Sequence, residues 1–146
     1  MAREQLEALF GQGKYYFHGS TESGLTELRP QQAYSYGRPD SEPAVYAAYG
    51  IDPAIFVAVL GKRGNAGWNS QRYGGVFGFY VARSSYEQAE EEAWAGTVYT
   101  VDRNDFASRG FAVSTSPASV KVIHEVSVSI PDLDMEIISV VDDANL

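Results

Sequence analysis

Apolar positions recur along the chain in short blocks of differing period, and each block marks an element. Leu6 and Leu9 stand three apart among Arg3, Glu4, Gln5 and Glu7, which predicts a short amphipathic helix over residues 2–9 that stops near Gly11 and Gly13. Lys14-Tyr15-Tyr16-Phe17-His18-Gly19-Ser20 is an aromatic strand that runs into a small-residue turn. Residues 21–40, with Pro30, Gly37 and Pro39, commit to no regular element. Ala44 to Ala48 predicts another strand. Asp52-Pro53 then opens a helix with a favoured capping residue and proline at the first helical position. That helix is apolar nearly all round to about Leu60, which predicts burial, and Gly61 ends it.

Residues 62–75 carry four glycines and two asparagines with Trp68 and Tyr73, the composition of a loop with aromatic tips. Val76 to Val81 reads as a strand, and Ser84-x-x-Glu87 as a capping box that introduces an acidic helical turn from Tyr86 to Trp94. Thr97 to Val101 is strand-like and residues 102–105 form a turn. Val120 to Ile130 alternates with period two, which puts Val120, Val122, His124, Val126, Val128 and Ile130 on one face. Met135 to Val141 closes the chain as a strand. Five or six strands and two or three short helices, in no regular βαβ order, predict an α+β fold with antiparallel sheets.

The 146 residues are one domain's worth, so a single domain over residues 1–146 is expected. At 45% hydrophobic and 13% aromatic, the chain has the apolar material for a packed core. A net charge of −8 disfavours duplex nucleic acid, whose binding needs a basic stripe. The absence of cysteine removes disulfides, thiolate nucleophiles and Cys-ligated metals, and two histidines leave little for an imidazole site, so no metal is assigned. No apolar run approaches a membrane span, and the first ten residues lack a signal peptide's basic start and apolar middle. A soluble, cytoplasmic protein is expected, although a chain without cysteine also suits export.

Four pieces carry candidate chemistry. Tyr16-Phe17-His18-Gly19-Ser20 is followed about 28 residues later by Val45-Tyr46-Ala47-Ala48, with Asp52-Pro53-Ala54-Ile55-Phe56 close behind. Gly96-Thr97-Val98-Tyr99-Thr100-Val101-Asp102 is the third and Pro117 to Val122 the last. In this order, over roughly Tyr15 to Val128, the chain resembles the ADP-ribosyltransferase-like family, and is most similar to its rifamycin-inactivating branch. The resemblance implies split antiparallel β-sheets with short flanking helices around a cleft for NAD, consumed as a substrate. It also implies cleavage of the nicotinamide–ribose bond and transfer of ADP-ribose to a small-molecule acceptor, a protein or water. His18 would order a ribose hydroxyl, Gly19 and Ser20 would hold the nicotinamide half, and Tyr46 and Phe56 would stack on it. The bond breaks through an oxocarbenium-like sugar, so a negative charge beside the ribose accelerates it.

The chain departs from the family at that charge. Relatives carry a carboxylate before the last motif strand or in the loop after the third; residues 114–119 and 107–110 contain none. Asp102 is therefore the assigned electrostatic helper, with Asp105 nearby and Glu125 within the following strand. Ala48 also replaces a hydroxyl residue of many relatives. Two other classes stay open. RNA 2′-phosphotransferase chemistry would need Arg29, Arg38, Arg63, Arg72 or Arg83 gathered beside His18, and a non-catalytic NAD-binding module would need no acid. Each residue also has a plainer reading. His18 ends a strand and bonds a carbonyl, Tyr46 and Phe56 fill the core, His124 is satisfied inside the fold, and Glu125 is a solvated partner of Lys121. Glu90-Glu91-Glu92 is a wet helical patch, and Trp68 either caps a pocket or anchors its own loop. An acceptor is expected to enter beside residues 62–75, whose glycines permit opening.

Overall fold

The computed structural model of the chain describes residues 1–31, 34–35, 38–39, 43–68, 78–108 and 113–146. In chain order the elements are α1 (Ala2–Gly11), β1 (Tyr15–Ser20), β2 (Glu27–Leu28), β3 (Tyr34–Ser35), β4 (Arg38–Pro39), β5 (Val45–Ala48) and α2 (Ile51–Phe56), which continues as a π-helical turn over Val57–Gly61. Next come β6 (Ala66–Trp68), β7 (Phe79–Ala82), α3 (Arg83–Glu91) and β8 (Ala95–Asp102). The chain finishes with β9 (Ala107–Ser108), β10 (Val113–Ser116), β11 (Val120–Lys121), β12 (His124–Ser129) and β13 (Ile138–Val141).

The principal sheet runs β12-β8-β1-β5-β10-β9 with every neighbouring pair antiparallel. A smaller sheet, β13-β7-β6, departs from the expected antiparallel pattern: β13 runs parallel to β7 in the register Ile138↔Phe79. The fold is α+β, mostly antiparallel, with few and short helices.

Side-chain alternation gives the principal sheet two buried faces. Phe17, Val98, Val126 and Val128 pack on one face against Leu6 and Leu9 of α1 and against Ile55, Phe56, Val59 and Leu60. Val45, Ala47, Tyr99 and Val101 pack on the other against Leu28 and Val120. Each fully buried large aliphatic or aromatic chain here contributes about 1.5–3 kcal/mol relative to exposure. Two glycines set how closely the helix sits: a Cβ on Gly19 would stand 2.1 Å from the Ala54 carbonyl oxygen, and one on Gly96 2.2 Å from that of Ala58. The helix backbone therefore rests directly on β1 and β8, a contact no side chain permits.

Several expected boundaries move for tertiary reasons. The helix expected to start at Pro53 behind an Asp52 cap begins two residues earlier, at Ile51 with Gly50 as its cap, and the Asp52 carboxylate pairs instead with the Arg3 guanidinium of α1. Past Phe56 the α-helix gives way to the π turn. The capping box at Ser84 does not form. Helix α3 starts at Arg83 behind Ala82, and the Ser84 hydroxyl and N–H both turn to Asp143, while Arg83 Nε donates to Asp142 at 2.7 Å. Those Ser84 bonds hold the Asp143 carboxyl below its ordinary range. The alternating stretch from Val120 to Ile130 breaks at residues 122–123: β11 pairs with β2 and β12 with β8. Residues 21–40, expected as loop, supply β2 and the β3/β4 hairpin. Residues 66–68, expected as loop, pair with β7. Tyr73, Arg72, the side chains of Trp68 and Arg38, and the start of the strand expected from Val76 lie outside the described residues. Among the described residues no helix is long and apolar enough to cross a membrane.

Candidate functional site

The two edges of β1 are paired unequally, and the site lies along the weaker one. β1 meets β8 from Tyr15↔Asp102 to Ser20↔Thr97, but meets β5 only at Phe17↔Ala48. Past that rung a side chain replaces the ladder: His18 Nδ1 lies 2.6 Å from the Tyr46 carbonyl oxygen. An open cleft of about 1030 Å³ follows this seam. That volume is at the upper end of the roughly 300–1,000 Å³ usual for small-ligand sites. Its walls are residues 17–22, 24–29 and 31 on one side, β5 at the base, and Pro53, Ala54, Val57, Gly61 and Lys62 of the helical segment on the other.

A carbonyl oxygen only accepts, so the bond to Tyr46 puts the His18 proton on Nδ1. Burial holds the imidazole below its ordinary value of 6.5, against the raising effect of that carbonyl and with the Lys62 charge adding to the lowering. At neutral pH the ring is uncharged and Nε2 carries a lone pair, able to accept from a ligand hydroxyl. Ser20 lines the cleft with its Oγ accepting from the Glu22 N–H at 3.0 Å, which leaves the hydroxyl proton free to donate. Tyr46 is half-buried, lines the cleft, and lies in register with Thr115.

Four of the expected residues, His18, Gly19, Ser20 and Tyr46, are thus brought together, although Gly19 is required for a reason the sequence did not reveal. Its missing Cβ makes room for the helix backbone. Phe56 is a correction: it is 1% exposed, its ring centroid is 4.6 Å from that of Phe79, and it does not line the cleft. The helix turns that face into the core. Asp102 is a second correction. It lies three rungs from the partner of His18, roughly 10 Å along the strand. There its carboxylate caps the Arg103–Asp105 turn by accepting from the Asn104 N–H at 2.8 Å.

Glu125 does not line the cleft and is not idle, since its Oε1 accepts from the Gly24 N–H at 2.7 Å and tethers the cleft wall. His124 is satisfied inside the fold: Thr100 Oγ1 accepts from its N–H and lies 2.9 Å from its Nδ1. Arg29 lines the cleft together with His18, whereas Arg63 lies over the Trp94 ring at 6.0 Å and Arg83 pairs with Asp142, so these three do not form one cluster. Sequence reasoning missed Lys62, a helix-end lysine of ordinary appearance, and Glu22, which follows the turn without any spacing signal. Among the described residues no group of three or more potential ligands is placed to hold a metal ion. Comparison with protein-family models, with curated proteins and with solved structures found no match to the chain.

Proposed function

We propose that the chain is an NAD-consuming enzyme of the ADP-ribosyltransferase-like type, with the half-open seam between β1 and β5 as the cleft of that split-sheet fold. The observation that carries the reading is the neutral His18 held by the Tyr46 carbonyl at the mouth of the seam. His18 Nε2 accepts from a ribose hydroxyl, the backbone of Gly19 and the Ser20 hydroxyl hold the carboxamide, and Tyr46 covers the nicotinamide ring. Arg29 and Lys62, on opposite walls of the same cleft, suit the dinucleotide's diphosphate. The glycosidic C–N bond breaks with its electron pair going to the nicotinamide nitrogen, and water or another nucleophile takes the sugar carbon.

The test is nicotinamide release from NAD by the purified chain beside His18→Ala and Tyr46→Ala, with NAD binding followed by calorimetry. The wild type is expected to release nicotinamide and both variants to lose at least about 100-fold in rate, in line with removal of a group that acts on the reacting sugar. Binding without release selects a non-catalytic NAD-binding module instead. Neither binding nor release makes the His-Gly-Ser turn architecture alone.

A further inference from the structure

Glu22 stands two residues past the His18-Gly19-Ser20 turn and lines the same cleft. Surface loops at such positions ordinarily move, yet this one is held from beneath. The Glu22 N–H donates to Ser20 Oγ at 3.0 Å, and the Glu22 carbonyl accepts from the Tyr99 phenol at 2.6 Å. The same phenol, fully buried in the sheet, accepts from the Leu25 N–H at 3.2 Å, and Glu125 holds Gly24 between them. A buried tyrosine of the central sheet thus fixes the backbone of an exposed glutamate beside His18.

Among the described residues two carboxylates line the cleft, Glu22 and Glu27. Glu27 accepts from Arg29 Nε at 3.1 Å, whereas among the described residues no cation pairs Glu22. A carboxylate on a fixed backbone that lines a cleft and that no described cation neutralises is available to a cation that forms there.

We propose that Glu22 is the carboxylate that stabilises the positive charge developing on the ribose, filling the role for which neither Asp102 nor residues 114–119 are placed. This rests on the function proposed above. As the C–N bond breaks, its electron pair leaves with neutral nicotinamide and the ring oxygen shares the resulting positive charge, which the Glu22 carboxylate lining the cleft would offset. Water then adds through a lone pair and loses its proton to solvent, which gives ADP-ribose, nicotinamide and one proton.

The test compares Glu22→Gln with Asp102→Asn, whose carboxylate the fold keeps outside the cleft. The backbone anchors of residue 22 survive the change to glutamine, so only the charge is removed. Glu22→Gln is expected to lower kcat for nicotinamide release by about 100-fold, the scale for losing one transition-state contact, with the Kd for NAD within twofold of wild type. Asp102→Asn should keep wild-type kcat. A Glu22→Gln variant with undiminished kcat overturns this assignment while wild-type release leaves the NAD-cleaving reading intact. So does a fall in rate matched by an equal fall in NAD affinity, which marks ground-state binding. A wild-type protein that binds NAD without releasing nicotinamide, or does not bind it, overturns the NAD-cleaving reading and this role with it.

Discussion

On one edge β1 meets β8 through consecutive rungs from Tyr15↔Asp102 to Ser20↔Thr97; on the other it meets β5 at Phe17↔Ala48 alone. Both edges belong to the same strand of similar residues, so strand propensity does not distinguish them. What distinguishes them is what enters the seam. On the β8 side, Val98, Tyr99 and Val101 bury on alternating faces and the backbone bonds are uninterrupted. On the β5 side the His18 ring takes the carbonyl a ladder would have used, and the helical segment rests on the bare Gly19 backbone. The closed seam carries an unbroken ladder, and the open one leaves polar atoms facing the cleft.

The strongest way to break that contrast is to give the open seam a side chain. Gly19→Ala would set a Cβ against the Ala54 carbonyl and the Ala58 N–H at 2.1 and 2.8 Å, backbone atoms that do not swing away. A loss of about 3 kcal/mol or more is expected in urea unfolding, at the upper end for overpacking. Gly11→Ala, with nothing within 4 Å, should stay within about 1 kcal/mol of wild type. Equal unfolding midpoints for the two variants would show that the helix does not sit on β1 as described.

Acid sharpens the contrast, because the buried histidine belongs to the open seam. Burial lowers the folded-state value of His18 below 6.5, so in the interval beneath 6.5 the unfolded chain binds a proton that the native chain does not. The stability contributed by neutral His18 is whole above about pH 6.5 and is lost as pH falls through that interval. The Asp143 carboxyl, also lowered, acts beneath its ordinary value of 3.8 and so outside this window. Chemical unfolding between pH 7.5 and 5 should show the decline in wild type and a flatter profile in His18→Gln; parallel profiles would refute a buried, neutral imidazole.

The smallest expected effect lies away from the open seam. Ala93, between α3 and β8, holds φ at +52°, a left-handed conformation that glycine adopts without a Cβ clash, and the Trp94 N–H closes the helix end on the Ala89 carbonyl at 2.9 Å. Ala93→Gly should raise stability by about 0.5–1 kcal/mol. A lowered thermal midpoint would contradict the strain.

The legible part of the site is local. His18, Gly19 and Ser20 sit together on one strand end, and the 28-residue separation from Tyr46 matches two strands that flank one cleft. The core position of Phe56 is not legible locally, because a helix apolar on nearly every side offers no phase from which to tell the cleft face from the core face. The place of Asp102 is not legible either, because strand register sets it beside Tyr15, at the far end of the ladder from His18 and Gly19. Glu22 gave no signal, since its position depends on a phenol 77 residues away.

By itself the sequence determined the class of the fold, the short first helix, the strands around Phe17, Val45, Val98 and Val126, and the small-residue turn after His18. These follow from periodicity and from what glycine, serine and aromatic chains do locally. Only the tertiary structure decided which edge of β1 stays open, which carboxylate meets the cleft and which aromatic is spent in the core. Those outcomes depend on strand register and on a helix lying against Gly19 and Gly96, contacts between residues far apart in the chain that no local pattern encodes.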